Sequence, residues 1–429
     1  MTPRIDLEEL ANRESEQTEW KENVADVDDV VATLAAFAND LQNLGGGYVV
    51  CGAKEEKDPE GFPRLVRAGL TANRLNEVEN MVLARCRDRV SPPITPLVEE
   101  LPTRDETRRI LVFLQPATGS AHTLRHGHDG ATHFVRVSRS TIEARNGTLR
   151  DLLVRKGAME PWDRRPCNTA TTDDINLLVL REALVRMDIK SHKRPDEFLS
   201  DEERLHALLP PLCAREPLTR TLRPRNFALL LFGREPQRFI PGAHAYFSRY
   251  PGADRGMDYA ERHELVGSLF EQAIELSRLV RQEATLLMEK TSREKPNVER
   301  YPDRALKEAL GNALAHRDYT LHDPTRVTAF ANRIEFHSPG GLPAGVTLAQ
   351  LRRGRVGPHW RNQTLAWAFM KLGIAQGEGQ GITTMRAQMK AAESPPPRFD
   401  ATEVSVTCTL YAHRVSAKVR DATKRAPRG

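Results

Sequence analysis

Two residues in the C-terminal third of the chain, Glu308 and Asn312, have types and a spacing that suit nucleotide chemistry. They lie four apart in the segment Ala305–His316, whose pattern predicts a helix, so both side chains project from one face about one turn apart. A carboxylate there can orient and deprotonate an attacking water, and an amide oxygen can complete the coordination of a phosphate-bound Mg²⁺. Exposed Glu and Asn at this spacing are common, so the pair alone does not identify a site.

Two glycine-rich elements follow this helix in the order that a phosphate-binding site needs. The first is Ser338–Pro343, directly after a predicted strand, and the second is Gly377–Ile382, directly before the helical segment Thr383–Ala391. Glycine allows backbone amides to approach phosphates closely, and a helix N-terminus attracts anions. Each element could also be a plain turn, although alternating glycines are more than a turn requires. The candidate phosphate-binding glycines are Gly340, Gly341, Gly377, Gly379 and Gly381.

The order of these motifs resembles the ATPase domain of bacterial predicted transcriptional regulators, which belong to the GHKL superfamily together with gyrase and histidine kinases. The resemblance rests on Glu308-Ala-Leu-Gly-Asn312, on His316-Arg-Asp-Tyr319, on Pro339-Gly-Gly-Leu-Pro343, on Arg361-Asn362 and on the glycines of Gly377–Ile382. It implies ATP and Mg²⁺ as cofactors. It also implies that Glu308 is a general base, that Asn312 is a Mg²⁺ ligand, and that Gly377, Gly379 and Gly381 form a lid over the phosphates.

The chain departs from the GHKL pattern at one position that concerns the base. Most GHKL proteins place an aspartate before the first glycine element to bind the adenine amino group, whereas this chain reads His337-Ser-Pro-Gly340. Selectivity for adenine is therefore an open question. The chain contains no G-x-x-x-x-G-K-[ST] sequence, which argues against a P-loop helicase or motor.

A second candidate site lies near the N-terminus, where acids cluster around one lysine. The segment Glu14-Ser-Glu-Gln-Thr-Glu19-Trp-Lys21 precedes a predicted helix and strand, and Glu55 follows them. Like charges repel by roughly 1 kcal/mol per close exposed pair, so such a cluster favours a bound cation. Acids around Mg²⁺ or Mn²⁺ are also what phosphodiester hydrolysis uses. The alternative is an acidic, solvated face of an N-terminal helix.

The N-terminal segment resembles the AlbA-type domain of Schlafen proteins. The resemblance rests on Glu14 to Lys21, on Ala36-Phe-Ala-Asn39, on Gly46-Gly-Tyr-Val-Val-Cys-Gly52 and on Phe134-Val-Arg-Val137. It implies an RNA-cleaving site in which Glu14, Glu19 and Glu55 bind a metal ion, accompanied by Lys21. The third acid is Glu rather than Asp, and Asn43-Leu-Gly45 looks inserted. Many such domains are described as DNA-binding only, so cleavage and binding both remain open.

Charge and cysteine usage narrow the class of protein further. The net charge is +5, and basic residues are concentrated between Arg136 and Arg165 and in the tail after His413, where they could meet phosphates or simply be solvated. The five cysteines form no C-x-x-C pair, which argues against a zinc ribbon or a disulfide framework. His122, His126 and His128 suggest a metal site only weakly, because they fall in a glycine-rich loop.

The element pattern predicts a multidomain α/β (α+β) chain. We expect a Schlafen AlbA-like domain at 1–158, a helical or mixed connecting domain at 159–295, a GHKL-like (Bergerat-type) α/β sandwich at 296–412 and a basic tail at 413–429. In the connecting domain, the apolar run Phe227–Gly233 predicts a strand. The amphipathic segment Tyr259–Glu289 predicts one long helix.

The two resemblances together favour a metal-dependent nuclease for RNA such as tRNA, gated by the ATPase and acting in phage defence. The alternative is an ATP-responsive, DNA-binding transcription regulator without nuclease activity, and a third hypothesis is a switch that binds ATP without hydrolysis. No segment approaches the roughly 20 apolar residues of a membrane span, so we expect a cytoplasmic protein. GHKL domains often dimerise, which suggests a homo-oligomer.

Overall fold

The chain folds as two units, Met1–Glu160 and Pro161–Gly429, which are described one at a time. The computed structural model describes residues 10, 16–57, 63–126, 130–256, 261–284, 287–288, 297–298, 300–343, 346–354, 359–375 and 381–413. For residues 55, 57, 63–65, 126, 287, 288, 297 and 298 the description covers the backbone only.

The first unit combines three helices with eleven short strands among its described residues. The helices are α1 (Val27–Asn39), α2 (Ala72–Asp88) and α3 (Asn146–Arg155). The strands are β1 (Thr18–Lys21), β2 (Gly46–Cys51), β3 (Ala53–Lys57), β4 (Pro63–Arg67), β5 (Leu70–Thr71), β6 (Val90–Ser91), β7 (Leu97–Pro102), β8 (Arg108–Pro116), β9 (Thr123–His126), β10 (Gly130–Val137) and β11 (Ser140–Glu143).

Helix α1 lies at the centre of the first unit. It begins after Asp26, whose side chain accepts a hydrogen bond from the Asp28 amide, and it ends at Asp40 in the left-handed conformation. One sheet has the order β1-β2-β8-β5, with β7 also paired to β8, and a second has the order β11-β10-β9-β6. Asn39, the last residue of α1, donates to the carbonyls of His122 and Phe134 and so fastens the helix to the second sheet.

The second unit contains seven helices and ten strands among its described residues. The helices are α4 (Leu177–Arg186), α5 (Asn226–Phe232), α6 (Leu269–Ala284), α7 (Asp303–Ala315), α8 (Leu348–Arg353), α9 (Gln363–Lys371) and α10 (Gly381–Ala391). The strands are β12 (Cys213–Arg215), β13 (Leu222–Pro224), β14 (Ala245–Arg249), β15 (Glu261–Leu265), β16 (Leu287–Met288), β17 (Asn297–Val298), β18 (Thr325–Ala329), β19 (Arg333–Pro339), β20 (Arg398–Ala401) and β21 (Ser405–Tyr411).

One six-stranded sheet runs through the second unit in the order β15-β14-β18-β19-β21-β20. Strand β14 pairs in parallel with β18, so a strand from the segment expected to be a separate connecting domain belongs to the same sheet as the ATPase-like strands. A single cluster of buried apolar residues extends from Ala170 to Ala412. The multidomain α+β architecture is confirmed, whereas the finer limits 1–158, 159–295, 296–412 and 413–429 stay predictions.

Two predicted elements of the middle segment are wrong. The run Phe227–Gly233 is not a strand, because residues Asn226–Phe232 form helix α5, in which every residue is buried. A helix buried on all sides shows no amphipathic periodicity and cannot be told from a buried strand by pattern alone. The segment Tyr259–Glu289 is not one helix, since β15 ends at Leu265 and α6 begins at Leu269.

A local capping signal explains the break before α6. Gly267 has φ +83°, and the Ser268 hydroxyl accepts a hydrogen bond from the Glu271 amide at 3.2 Å. The Ser268 amide in turn donates to the Glu271 carboxylate at 3.2 Å, which completes a reciprocal capping box. The sequence Gly-Ser-x-x-Glu therefore marks a helix start inside an otherwise continuous amphipathic pattern.

Other sequence expectations can be compared with the fold directly. All five cysteines are unbridged, and four of them are buried. Among the residues that the structure describes, no helix is both long enough and apolar enough to cross a membrane.

We expect a matched pair of leucine substitutions to show how much the second unit depends on α5. Leu230 is 0% exposed in this helix, whereas Leu218 is 93% exposed. Leu230→Ala should lower the free energy of unfolding by about 2–5 kcal/mol, and Leu218→Ala should change it by less than about 0.5 kcal/mol. Denaturant unfolding of the full chain measures both, and equal losses would contradict the placement of α5 in the core.

Candidate functional site

Helix α7 holds the two residues of the predicted nucleotide pair. It spans Asp303–Ala315, close to the predicted Ala305–His316, and buries most of one side against the unit's core. Glu308 is 3% exposed, and the Asn312 side-chain amide donates to Glu308 Oε1 at 3.0 Å. The pair is therefore one hydrogen-bonded group on one face, and its amide oxygen, Asn312 Oδ1, stays available as an acceptor or ligand.

Helix α10 begins directly against this pair. Its first residue, Gly381, lies so close to Glu308 that a Cβ atom at this position would overlap Oε1 of the carboxyl group. A residue with a side chain would displace the Glu308 carboxyl group from this position, so glycine allows the helix N-terminus to lie this close to the pair. Gly377 and Gly379 lie outside the described residues.

The first glycine element closes the opposite wall, directly after β19. Gly340 has φ +102°, and a Cβ there would overlap the Arg361 guanidinium. Its amide donates to the Val404 carbonyl at 2.7 Å. At position 341, a Cβ atom in place of the glycine hydrogen would crowd the Glu403 carbonyl. The Gly340 amide thus shapes the wall of the pocket in this conformation rather than pointing toward a ligand.

Arg361 and Asn362, which precede α9, fasten the C-terminal end of α7. Asn362 Nδ2 donates to the carbonyls of Ala315 at 3.0 Å and Arg317 at 2.8 Å. Arg361 donates to the carbonyls of His316 and of Gly341, the latter at 2.9 Å. The carbonyls at the end of a helix lack partners within it, so these side chains supply them. Sequence reasoning noted this pair in the resemblance but gave it no role.

These elements line a partly open cavity of about 130 Å³ with a mostly apolar wall. Glu308 is the one carboxylate among the lining residues in the described part of the chain. The His316 ring is stacked on Trp360, with centroids 4.8 Å apart and planes at 9°. Burial, together with the charges of Arg361 and His359, lowers the pKa of His316 to about 4, so its ring is neutral at physiological pH.

No carboxylate takes the place of the missing aspartate after β19 within the described residues that line the cavity. His337 Nδ1 is bonded to the Thr407 hydroxyl at 3.0 Å, and the Ser338 hydroxyl donates to the Ala313 carbonyl at 2.8 Å. These two side chains therefore bind β19 to strand β21 and to helix α7.

The N-terminal acids and Lys21 form a different kind of cluster. Strand β1 pairs in parallel with β2, which puts Glu19 and Lys21 on the same face of the sheet. Lys21 Nζ lies 2.8 Å from Glu19 Oε1 and 2.6 Å from Asp29 Oδ2. Burial lowers the pKa of Lys21, but its hydrogen bonds to Asp29 and Glu19 outweigh this and raise that pKa above its ordinary value.

A second cation holds the other oxygen of Glu19. Arg136 on β10 is 6% exposed at its side chain and donates to Glu19 Oε2 at 2.9 Å. It also lies over the Phe37 ring, 5.4 Å from the centroid. Sequence reasoning placed Arg136 in a basic stretch but not in the site. The signal in the sequence that could have placed Arg136 in the site is an arginine at a strand position whose side chain faces inward.

Of the other predicted N-terminal site residues, Glu14 lies outside the described residues, and the backbone of Glu55 lies in β3 opposite Leu65. The side chain of Glu55 is not among those described. No group of three His, Cys, Asp or Glu side chains in the described part of the chain could hold a metal ion. His122 is bonded to the Pro92 carbonyl at Nδ1 and to the Thr118 hydroxyl at Nε2, which leaves no ring nitrogen for a metal. His128 lies outside the described residues, as does the side chain of His126.

Comparisons with known families match one segment in each unit. Residues 14–145 match the family "Schlafen, AlbA_2", and residues 322–410 match the family "Putative ATP-dependent DNA helicase recG C-terminal", an ATPase-like domain. The chain therefore carries a Schlafen AlbA-type domain in its first unit and an ATPase-like domain in its second. An ATPase-like domain of this kind binds nucleotide, commonly with Mg²⁺.

Two solved structures are similar to all or part of this chain at low TM-scores. A crystal structure of a Corynebacterium diphtheriae protein covers 94% of this chain and 76% of its own, at 18% identity and a TM-score of 0.45. A solution structure of the N-terminal domain of a RecG-related protein from Nitrosomonas europaea covers 26% of this chain and 71% of its own, at 24% identity and a TM-score of 0.23. At these TM-scores neither structure bears on function. No curated protein matches the chain.

A double-mutant cycle should show that Arg136 and Glu19 of the Schlafen AlbA-type domain are energetically coupled. We expect Arg136→Met and Glu19→Gln to give a coupling energy of about 1–2 kcal/mol, because the arginine is buried although the carboxylate is partly exposed. The free energy of unfolding of this unit can be measured from amide hydrogen exchange in β2.

The matched control is Arg109–Glu100, an exposed pair in the same unit with its closest atoms 3.9 Å apart. Its coupling energy should be below about 0.5 kcal/mol. A value at Arg136–Glu19 as small as the control would contradict the contact.

Proposed function

We propose that this chain is an ATP-binding protein that acts on nucleic acid, with an ATPase unit whose nucleotide state gates the Schlafen-type unit. One observation carries the proposal: Glu308, Asn312 and the first residue of helix α10 meet at one wall of the same cavity. A carboxyl group, an amide and a helix N-terminus are the groups that nucleotide phosphates and their cation need.

Glu308 is the residue we assign to hydrolysis. Its carboxyl group can orient and deprotonate a water for attack on the terminal phosphate, while Asn312 fixes its position through the bond to Oε1. Gly381, with Gly377 and Gly379, would let the lid over the phosphates close against this pair. Gly340 and Gly341 would shape the opposite wall.

The residues present fit a magnesium ion at this pocket. The Asn312 amide nitrogen is bonded to Glu308, so the oxygen of the same amide is left to face a hard cation. Mg²⁺ would supply charge neutralisation for the phosphates of the bound nucleotide.

For the first unit we propose a metal-dependent nuclease on RNA such as tRNA, with Glu14, Glu19 and Glu55 as Mg²⁺ or Mn²⁺ ligands and Lys21 beside the phosphate. The support is the match to the Schlafen AlbA family and the position of Glu19 and Lys21 on one strand face. A role in phage defence, a cytoplasmic location and a homodimer belong to the same proposal.

One observation favours the second candidate, a unit that binds nucleic acid without cutting it, as in a transcription regulator. Each oxygen of Glu19 has a cationic side chain beside it, Lys21 at 2.8 Å and Arg136 at 2.9 Å. A divalent metal would have to replace one of these contacts, so this part of the site is a poorer fit to a metal than the ATPase pocket. Lys21, the more exposed of the two cations, could instead contact the phosphates of a nucleic acid.

Replacing Glu308 by glutamine should separate ATP binding from hydrolysis. We expect Glu308→Gln to lower the rate of phosphate release by at least about 100-fold, the usual contribution of a general base, with little change in ATP affinity. Phosphate release by the full chain and binding of a non-hydrolysable ATP analogue are the two measurements. Undiminished phosphate release by the variant would reject Glu308 as the base, and wild-type binding without release would indicate a switch.

Cleavage assays should decide between the two candidate roles of the first unit. If it is a nuclease, the full chain with Mn²⁺ should cut tRNA, and Glu19→Ala should lower the rate by at least about 100-fold. Glu100→Ala, at an exposed position of the same unit, is the matched control and should cleave normally. Binding of tRNA or duplex DNA without cleavage by the wild type, or cleavage that survives Glu19→Ala, would reject the nuclease and leave the binding role.

A further inference from the structure

Helix α9 is capped by a residue that lies far away in the sequence. The helix begins after Asn362, the position from which a side chain normally accepts a hydrogen bond from the second or third amide of the helix. The Asn362 side chain makes no such bond. Instead, its amide nitrogen donates to the carbonyls of Ala315 and Arg317 at the end of α7. The first amides of α9 therefore need an acceptor from elsewhere in the chain.

Asp163 supplies that acceptor from 201 residues away. Its Oδ2 accepts a hydrogen bond at 2.8 Å from the amide of Thr364, the second residue of α9, and Asp163 is 0% exposed. The neighbouring Arg164 donates through Nε to the hydroxyl of the same threonine at 3.2 Å. Asp163 thus takes the place of an N-cap residue, which leaves Asn362 to hold α7.

Trp162 contacts the other helix of the same junction. Its ring stacks on Tyr319, with centroids 6.0 Å apart and planes at 9°. The Tyr319 hydroxyl donates to the carbonyl of Leu314, in the last turn of α7, at 2.9 Å. We call Trp162–Arg164 the entry segment, because it follows Pro161, the first residue of the second unit. The entry segment therefore holds α9 directly and α7 through Tyr319.

The entry segment is itself fixed to the core of the second unit. Asn226 is the first residue of the buried helix α5, and its side-chain amide donates to the Trp162 carbonyl at 2.9 Å. The backbone amide of Asn226 donates to the Arg165 carbonyl at 2.8 Å. The core thus places the Asp163 carboxyl group, which can hold the start of α9 in one position.

The start of α9 in turn fixes one wall of the cavity. Trp360 lines the cavity, and Arg361, directly before Asn362, donates to the Gly341 carbonyl at 2.9 Å. Without an acceptor for the first amides of α9, the Asn362 side chain would be drawn to cap its own helix, at the expense of its bonds to α7. A change at Asp163 therefore reaches the cavity, although Asp163 is not among the described residues that line it.

We propose that Asp163 is a positioning residue of the nucleotide pocket, which caps α9 so that Arg361 and Asn362 hold the end of α7 and the wall at Gly341. The inference rests on the proposed nucleotide-binding function and deepens it, since it makes the affinity for nucleotide depend on the entry segment of the unit.

The test is the affinity of the full chain for a non-hydrolysable ATP analogue with Mg²⁺, measured by isothermal titration calorimetry. Asp163→Ala removes the acceptor and should weaken binding about tenfold, which corresponds to the loss of about one helix N-cap. Asp163→Asn keeps an acceptor oxygen on a side chain of the same length and should bind the analogue as the wild type does. In ATP hydrolysis, Asp163→Ala should raise KM and leave kcat unchanged, because Asn312 holds Glu308 within α7 itself.

A second helix cap in the same unit provides a matched control. Asn176 caps α4 by accepting a hydrogen bond from the Leu178 amide at 3.1 Å, and α4 contributes none of the described residues that line the cavity. Asn176→Ala should destabilise the unit about as much as Asp163→Ala in denaturant unfolding, but it should leave the affinity for the analogue unchanged. Trp162→Leu removes the stack on Tyr319 and should also weaken binding, and it decides the question if Asp163→Ala does not fold.

The outcomes separate this inference from the proposal beneath it. If the wild type does not bind the analogue, the nucleotide-binding function itself is overturned, and this inference with it. If the wild type binds and Asp163→Ala binds equally well, the pocket takes nucleotide and the role of Asp163 is overturned. Equal losses of affinity in Asp163→Ala and Asn176→Ala would also overturn it, since the effect would then be a general loss of stability. A loss in Asp163→Asn as large as in Asp163→Ala would overturn the capping role.

Discussion

The burial of the Glu308 carboxyl group constrains the whole ATPase unit. A carboxyl group that is 3% exposed needs hydrogen bonds, because removing it from water costs several kcal/mol. Asn312 supplies one from the same helix, and the N-terminus of α10 approaches from the other side at Gly381. Glycine at that position leaves room for the carboxyl group, and the approach also requires α7 to be held in place. Arg361 and Asn362 meet the second requirement by binding the carbonyls at the end of α7.

The parts of this site that were predictable from sequence are the local ones. The spacing of Glu308 and Asn312 defines one helix face, and alternating glycines before Thr383 indicate a close approach at a helix start. Both signals lie within one turn of chain. Arg361 and Asn362 act on carbonyls 45 to 47 residues away, and no pattern within their own segment indicates such a contact. The same limit applies to the Trp360 ring on His316.

The two wrong predictions about the middle segment have the same origin. Helix α5 is surrounded by the core on all sides, so its sequence carries no periodicity, and only the tertiary context makes it helical. Strand β15 is amphipathic enough to extend a helical pattern, yet it pairs with β14 across five residue pairs. In the first unit, the ion pair from Arg136 to Glu19 spans 117 residues. Sequence alone predicted that the acids need a cation but could not tell that the protein supplies two.

The two candidate sites stabilise a carboxyl group in different ways, Glu308 in a buried position and Glu19 in a partly exposed one. Near Glu19, Lys21 and Arg136 each lie beside one oxygen of the acid, and Lys21 also pairs with Asp29, so two cations balance two acids. At Glu308, the bond described comes from a neutral amide on the same helix, and the nearby helix end adds a partial positive charge. The contacts described at the first acid are therefore cationic, and those described at the second are dipolar. That difference is why we propose a metal-bound nucleotide for the second unit, and why a nuclease and a binding role are both tested for the first.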